Sequence, residues 1–258
     1  MPAAAPVLLI PPSEGKSPGG DGPPVDWGAG RFGHLADHRL RVRDAVLRAV
    51  RRRADAQALL GVTGPHLDRA LREWRELDMA PTMAAAARYS GVVWGALDIP
   101  SLESPARRRA MSRIVVPSGA WGLVAAGDAI PAYRLKMAAR LGALGRLSAW
   151  WRPLIGPALA ARAGRGAVID LLPREHAAAI DPAVLRPGAL VRVQILEPGP
   201  AGRAVGHVGK ALKGRLARAI LQADARTADD VAQLAVDGLG GVDVVHDPVT
   251  TVVFRRTS

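Results

Sequence analysis

Short apolar runs alternate with amphipathic segments along this chain, and this alternation constrains the fold more than any other feature. Val7–Ile10 is an apolar run that stops at two prolines, as a buried strand does. Ala167–Leu172 has the same character, and Leu190–Leu196 alternates apolar and polar residues like a half-buried strand. Strands interleaved with helices predict one mixed α/β (α+β) domain over residues 1–258, with a central mixed sheet and surrounding helices.

The remaining elements are predicted from periodicity and from turn residues. We expect a further strand at 113–117, followed by a glycine-rich segment, and a closing hairpin at 242–245 and 250–254. Pro153 and Pro157 predict interruptions in the helix at 147–163. The other predicted helices lie at 39–53, 56–78 (with a tight turn inside it), 84–89, 208–221 and 229–236.

The chain is strongly basic, with a formal net charge of +12 and a pI of about 11.3. Such a balance favours polyanionic partners, most simply nucleic acid. An alternative stays open at this point. Arginine far outnumbers lysine, and alanine, glycine and proline are abundant, which indicates a composition bias across a whole genome.

The absence of cysteine excludes disulfides, Cys-ligated zinc, iron–sulfur clusters and thiol catalysis. The opening apolar run lacks a basic region, and no stretch approaches the roughly 20 apolar residues of a membrane span. We therefore expect a cytoplasmic monomer without membrane association. His34 and His38 have the spacing of helix-borne metal ligands but lack an evident third ligand, so we expect neither a metal nor a cofactor.

The loop after the first strand, Pro11–Ser17, ends in Gly-Lys-Ser. A phosphate-binding loop needs glycine five positions before Gly15, where this chain has Ile10, so that motif fails. A strand-end loop carrying Glu14 and Lys16 remains, and strand ends of open α/β sheets are common ligand sites. The alternative interpretation is a surface turn.

A glycine turn between two predicted helices, Gly61-Val-Thr-Gly64, resembles that of a helix-hairpin-helix. In that motif the second helix presents backbone N–H groups to a nucleic-acid phosphate, helped by its dipole. This turn carries one extra residue. Arg69 and Arg72 are placed to reach neighbouring phosphates. An ordinary pair of antiparallel helices is the alternative.

Residues 206–221 predict an amphipathic helix with one apolar stripe. Its basic residues lie opposite that stripe or at its border, and they are His207, Lys210, Lys213, Arg215 and Arg218. A polyanion would bind along this face. A merely solvated face is the alternative, although two of the four lysines in the chain lie here.

Three aromatic residues lie in or near glycine-rich segments and are candidates for stacking on a base: Trp94, Trp121 and Tyr133. Arg134 follows directly and is a candidate phosphate ligand. Core packing is the alternative role for the aromatic residues.

Asp170 ends a predicted strand, and Glu175 follows a few residues later. Charged groups at the carboxyl end of a strand are site candidates. If the protein is an enzyme, these two carboxylates together with Glu14 and Lys16 are the candidate catalytic groups. Ordinary surface charge is the alternative.

Taken in order, these segments resemble the peroxide stress protein YaaA family over nearly the whole chain. The runs that carry the resemblance are 7–16 (ending Pro-Pro-Ser-Glu-Gly-Lys), Tyr89-Ser-Gly-Val-Val-Trp-Gly95, Ser118-Gly-Ala-Trp-Gly122, Ile130-Pro-Ala-Tyr-Arg-Leu135, Val168-Ile-Asp-Leu171, Gly209-Lys-Ala-Leu-Lys-Gly214 and Val252-Val-Phe-Arg-Arg256. The resemblance implies a mixed α/β body with a helix-hairpin-helix and affinity for DNA. It also implies a part in oxidative-stress resistance through limiting free intracellular iron.

Two functions remain open from the sequence. One is weakly sequence-specific binding of duplex DNA, and the other is an enzyme acting on a nucleotide or another phosphorylated small molecule in a cleft lined by Lys, Arg and carboxylates. A concave pocket favours the enzyme, whereas a convex basic stripe that includes the hairpin favours DNA binding. We expect Lys16, Arg134 and Lys210 around one cleft, with Glu14 and Asp170 near its rim.

Overall fold

A seven-stranded mixed sheet forms the centre of the protein. The structure is a computed structural model that describes residues 3–196, 206–239, 242–247 and 251–256. The strands are β1 (Val7–Leu9), β2 (Met83–Ala84), β3 (Ile114–Ser118), β4 (Gly122–Ala125), β5 (Ala129–Ile130), β6 (Val168–Asp170), β7 (Leu190–Leu196), β8 (Val242–Asp247) and β9 (Thr251–Arg256).

The strand order across the sheet is β4-β3-β1-β6-β7-β9-β8. The five inner strands run parallel, and β4 and β8 close the two edges in antiparallel pairs. Strands β2 and β5 form a separate antiparallel pair. Every residue of β1, β3 and β6 is buried, as expected for parallel strands covered on both faces. This burial explains why the strands are apolar except at Ser118 and Asp170, the last residues of β3 and β6.

Ten helices of the described residues cover or flank the sheets. They are α1 (Ala36–Ala49), α2 (Arg53–Leu60), α3 (Gly64–Arg75), α4 (Ala85–Arg88), α5 (Val92–Leu97), α6 (Ser104–Arg113), α7 (Leu147–Ala163), α8 (Arg174–Ala177), α9 (His207–Ala223) and α10 (Ala228–Leu239). The predicted mixed α/β class and the closing β8–β9 hairpin are therefore confirmed. None of the helices in this part of the chain combines the length and the apolarity that crossing a bilayer requires.

Helix α7 corrects one prediction, because it runs through Pro153 and Pro157 without a break. The two prolines are four residues apart and both are exposed, so the missing N–H donors lie on one solvated face. On the opposite face Trp151, Ile155 and Leu159 are fully buried, and this packing keeps the helix continuous.

The carboxyl ends of β3, β1 and β6 meet at one edge, since these strands are parallel neighbours. The segments that leave this edge are 10–17 after β1, 119–121 after β3 and 171–176 after β6. The predicted strand-end residues are therefore delivered to one side of the sheet. The candidate site lies at this edge.

Candidate functional site

A small cavity of about 40 Å³ opens where the loop after β1 meets the segment 133–136 and helix α8. Its polar lining consists of Ser13, Glu14, Lys16, Tyr133, Arg134, Lys136, Glu175 and His176. Five of the predicted site residues, Glu14, Lys16, Tyr133, Arg134 and Glu175, are thus brought together. Lys136 and His176 were not predicted as site residues. The segment Tyr133–Lys136 follows β5 without regular structure, and no periodicity pointed to it.

Lys16 is partly buried, and its Nζ donates a hydrogen bond to the carbonyl oxygen of Ser13 at 2.9 Å. The same nitrogen lies 4.1 Å from the centre of the Tyr133 ring and 5.6 Å from that of Tyr89. Its backbone is fixed by an antiparallel bridge to Tyr89. Burial lowers the pKa of Lys16 to about 7, although the charge of Glu73 acts in the opposite direction. About half of the amine is therefore neutral at pH 7.

Glu14 does not neutralise Lys16, because its carboxylate is engaged elsewhere. Arg134 Nη2 lies 2.5 Å from one oxygen of Glu14, and Lys136 Nζ lies 3.2 Å from the other. Partial burial acts to raise the pKa of Glu14, but the hydrogen bonds and charges of Lys136 and Arg134 lower it overall. Glu14 is therefore a fixed carboxylate that orients two cations at the mouth of the cavity.

Arg134 connects this cavity to helices α2 and α3. Its Nε donates to the carbonyl of Leu60, the last residue of α2, at 3.1 Å. Its own carbonyl accepts a hydrogen bond from Trp74 Nε1 in α3 at 2.8 Å. A Cβ placed on Gly61 would lie 3.5 Å from Lys136 Nζ, so the turn between α2 and α3 and the cavity are direct neighbours.

The predicted tight turn between two helices is present. Gly61 ends α2 at a φ of +64°, and its N–H donates to the carbonyl of Gln57 at 2.9 Å. Gly64 begins α3 at a φ of +54°, followed by Pro65. A Cβ on Gly64 would meet no atom within 4 Å. Glycine at this position therefore serves the backbone conformation rather than packing, and the surface beside it is open.

A chain of hydroxyl groups supports the cavity wall from behind. The hydroxyls of Tyr89 and Tyr133 are 2.8 Å apart, and that of Tyr133 is 2.7 Å from Ser118 Oγ. Burial raises the pKa of Tyr133 to about 12 and that of Tyr89 well above its usual value. Both hydroxyls stay protonated at neutral pH, so they fix the tyrosine rings against Lys16 without adding charge.

The prediction that three aromatic side chains stack on a base requires a correction, because all three side chains are buried. Trp94 donates its indole N–H to the carbonyl of Pro11, and Trp121 stacks on Trp27 with ring centres 4.7 Å apart. Tyr133 is 1% exposed and lies beneath Lys16. Core packing takes up these rings, so none of them presents a free face to a base in this structure.

Asp170 and Lys213 form a separate group beside the cavity rather than part of its lining. Asp170 accepts the N–H of Leu172 at 2.9 Å and pairs with Arg192 at 3.0 Å. Lys213 Nζ donates to the carbonyl of Leu172 at 3.0 Å, and burial lowers the pKa of Lys213 to about 8. These contacts bind the end of β6 to β7 and α9.

The basic face of α9 is smaller than predicted. Lys210 is exposed and does not line the cavity, so the expected cleft gathers Lys16 and Arg134 without it. Arg218 donates to the carbonyls of Leu97 and Asp98, where it caps the end of α5.

The two arginines proposed for α3 differ in their surroundings. Arg69 donates to Glu73 at 2.8 Å and reaches the carbonyl of Lys16 at 3.5 Å. Arg72 is exposed. Both lie on the helix that begins at the glycine turn, so Arg72 is the freer of the two to meet a phosphate.

No group of three His, Cys, Asp or Glu side chains suited to a metal ion occurs in the described part of the chain. His34 lies in a short 3₁₀ turn and His38 in α1. His176 lines the cavity, and burial lowers the pKa of its imidazole to about 4. His176 is therefore neutral at pH 7.

We expect Lys16→Met to stabilise the fold, most strongly in acid. The pKa of Lys16 is about 7 in the folded state, below its ordinary 10.5, so the unfolded chain binds more protons between these values. The free-energy cost of burying the charged Lys16 in the folded protein is complete below pH 7 and shrinks as the pH rises. Because the side chain is only partly buried, solvent screening reduces this cost. We expect a Tm increase of roughly 3–6 °C at pH 6 and a smaller one at pH 9.

The matched control is Lys210→Met, since Lys210 is exposed. Thermal melts of this variant should stay within about 2 °C of the unmodified protein at both pH values. A lower Tm for Lys16→Met at pH 6 would show that its contacts with Ser13 and Tyr133 outweigh the burial of its charge.

Comparison with known proteins shows which family this chain is similar to. Residues 7–241 match the family model described as peroxide stress protein YaaA. A UPF0246 protein of Streptomyces coelicolor is 35% identical over 216 residues, which cover 83% of this chain and 82% of the relative. A UPF0246 protein of Corynebacterium efficiens is 35% identical over 238 residues, covering 89% and 91%. One of Corynebacterium glutamicum is 33% identical over 244 residues, covering 89% and 91%.

The fold and the site thus define a mixed α/β protein with a basic cavity beside a glycine turn between two helices. The chain belongs to the YaaA (UPF0246) family.

Proposed function

We propose that this protein binds duplex DNA with weak sequence preference, in the cytoplasm, as part of the response to peroxide. The observation that carries the proposal is the turn between α2 and α3. Gly61 and Gly64 both have positive φ, the space beside Gly64 is open, and Lys136 lies against Gly61. We take this element as a helix-hairpin-helix whose second helix binds phosphate.

The beginning of α3 supplies donors for an anion. The first N–H groups of a helix have no partner inside the helix, and the helix dipole adds a partial positive charge at that end. No side chain caps α3 at Thr63, Pro65 has no N–H, and the N–H of Leu67 donates to the carbonyl of Thr63 at 3.3 Å. The backbone N–H groups of Gly64 and His66 are therefore the donors left for a ligand. A phosphate at this position would accept them directly.

The cations around the turn extend this surface. Lys136 and Arg134 line the cavity, and Arg72 is exposed on α3. Contacts of this kind carry no sequence information, because every nucleotide presents the same phosphate. Weak sequence preference is the expected consequence. The net charge of +12 would attract DNA from a distance as well.

The physiological part of the proposal follows the family. The matching model is described as a peroxide stress protein, and we place DNA binding in that response. The resemblance also implies an effect on free intracellular iron. We propose this effect as a consequence within the cell, to be measured in vivo.

We expect Gly64→Val to weaken binding of a duplex oligonucleotide about tenfold. A β-branched residue is strained at a φ of +54°, and its side chain would occupy the open surface where a phosphate approaches. Fluorescence anisotropy with a labelled duplex of about 20 base pairs measures the change.

The matched control is Gly142→Val. Gly142 also has a positive φ, +50°, and a Cβ there also meets nothing within 4 Å, but it lies outside the hairpin. Both variants carry the same backbone strain, so their Tm values should fall together, whereas only Gly64→Val should lose affinity. Equal affinities for the two variants would leave the turn with a purely structural role.

A further inference from the structure

We propose that Lys16 is a nucleophilic amine that forms a Schiff base with the C1′ aldehyde of an abasic site in duplex DNA. This inference rests on the proposed DNA binding and adds a chemical step to it. It also gives a specific form to the enzymatic alternative that the charged strand-end loop raised, since the reacting group comes from that loop.

The position of the amine is the first support. Lys16 is one of the residues that line the cavity, and its Nζ donates a hydrogen bond to the neutral carbonyl of Ser13. Glu14, the nearest carboxylate in sequence, is held by Arg134 and Lys136 instead. An amine without an ion-pair partner in a partly desolvated site is easily deprotonated, as Schiff-base lysines must be.

The protonation state agrees with this role. The pKa of Lys16 is lowered to about 7, mainly by burial. About half of the side chains carry a free lone pair at pH 7, whereas an ordinary lysine at this pH has less than one in a thousand neutral. A fold that keeps such a lysine gives up stability, and stability is commonly given up at functional sites.

The size of the cavity selects the substrate. A volume of about 40 Å³ holds only a few water-sized groups, since one such group needs about 10–15 Å³. A flipped nucleobase is too large for this space, whereas the aldehyde carbon of a sugar that has lost its base fits. The substrate is therefore a nucleotide without its base.

The surrounding cations provide binding groups for the phosphates next to this sugar. Arg134 and Lys136 border the same cavity, and Lys136 lies against Gly61 in the hairpin turn. A backbone held by the turn would bring its neighbouring phosphates to these two side chains. The sugar between those phosphates would then face Lys16.

The neutral Nζ of Lys16 attacks the C1′ carbonyl of the ring-opened sugar, and a C–N bond forms while the carbonyl π electrons move to oxygen. One proton moves from nitrogen to that oxygen, giving a neutral carbinolamine. A further proton taken from solvent lets the hydroxyl leave as water, and a protonated imine remains. The neutral imidazole of His176, on the wall of the same cavity, is a group able to pass these protons.

Borohydride trapping tests the proposal. The full chain is mixed with a duplex carrying one abasic site, sodium cyanoborohydride reduces the imine to a stable amine, and a denaturing gel measures the covalent complex. The trapped fraction is divided by the fraction bound, which anisotropy gives at the same concentrations. We expect Lys16→Arg to lower this ratio at least 20-fold. With the unmodified protein the ratio should rise between pH 6 and pH 8, as Lys16 loses its proton.

The outcomes separate this inference from the proposed function. Binding of an intact duplex without any trapped complex would overturn the Schiff base and leave DNA binding standing, whereas no binding of either duplex would overturn both. Peptide mapping must place the adduct on Lys16; an adduct on another amine contradicts the proposal. Trapping of free glyceraldehyde 3-phosphate, but not of the abasic duplex, would overturn the assigned substrate.

Discussion

Replacing Gly214 by alanine should destabilise the protein by about 3 kcal/mol, although alanine is the better helix former. Gly214 lies in the middle of α9, where it packs directly on α5. A Cβ at this position would lie 2.3 Å from the carbonyl oxygen of Val93 and 2.8 Å from the Cβ of Ala96. The first of these atoms belongs to the backbone of a packed helix and cannot move aside.

The size of the effect follows from two opposing terms. Intrinsic helix propensity favours alanine over glycine by about 1 kcal/mol. Overpacking a close helix–helix contact typically costs 1–3 kcal/mol, and occasionally more. Because the contact joins two backbones, we place the overpacking cost at about 4 kcal/mol, so that the net loss is about 3 kcal/mol and Tm should fall by roughly 6–12 °C.

Gly95→Ala is the matched control, since it makes the same change in α5 with the opposite expected sign. Gly95 is exposed, and a Cβ there would meet nothing within 4 Å. This variant should gain up to about 1 kcal/mol from helix propensity alone. Denaturant unfolding of both variants measures whether each substitution lowers or raises the free energy of unfolding. A stabilised Gly214→Ala protein would contradict the close packing of α9 on α5.

Arg88→Met should also destabilise the protein by about 3 kcal/mol and should disturb the candidate site. Arg88 is fully buried and donates to three backbone carbonyls, those of Ser17 at 2.6 Å, Pro81 at 3.0 Å and Ile130 at 3.2 Å. Methionine fills part of the volume but leaves these acceptors without their donor. Burial lowers the pKa of the Arg88 guanidinium, because a buried charge is unfavourable. Removing this charge therefore offsets part of the stability that is lost with the three hydrogen bonds.

The same substitution should change Lys16. The hydrogen bond to Ser17 anchors the residue that follows Lys16, and the charge of Arg88 adds to burial in lowering the pKa of Lys16. Removing that charge should raise this pKa, so the pH at which an amine-reactive probe labels Lys16 should shift upward. Arg108→Met is the control, because Arg108 is exposed on α6 and should change neither Tm nor labelling appreciably. An unchanged Tm for Arg88→Met would show that water replaces the lost donor.

The regular elements with strong local patterns could be predicted from the sequence. The strands predicted at 7–10 and 190–196 are present as β1 (Val7–Leu9) and β7 (Leu190–Leu196), because their apolar patterns match a buried and a half-buried strand. The strand β4 was missed, since Gly122 and its glycine-rich surroundings resemble a loop. The continuity of α7 was missed because local proline rules do not register that Pro153 and Pro157 share an exposed face.

The candidate site could be predicted only in part. Glu14, Lys16 and Glu175 come together because the parallel strands β1 and β6 deliver their following loops to one edge, and Arg134 joins them from the segment after β5. Lys210 stays outside, since the sequence does not show which turn of α9 would face that edge. Lys136 was missed because an isolated lysine outside any motif carries no local signal. Its role appears only through its contacts with Glu14 and Gly61.

The most direct test of DNA binding through backbone phosphates is a salt titration. Anisotropy of a labelled duplex between 50 and 200 mM salt gives log Kd against log salt. Contacts to about 4–6 phosphates predict a slope of roughly −4 to −5 for the logarithm of the association constant. We expect that slope, with little change between duplexes of unrelated sequence. Failure to bind at micromolar protein in low salt, or a slope near zero, would contradict the account.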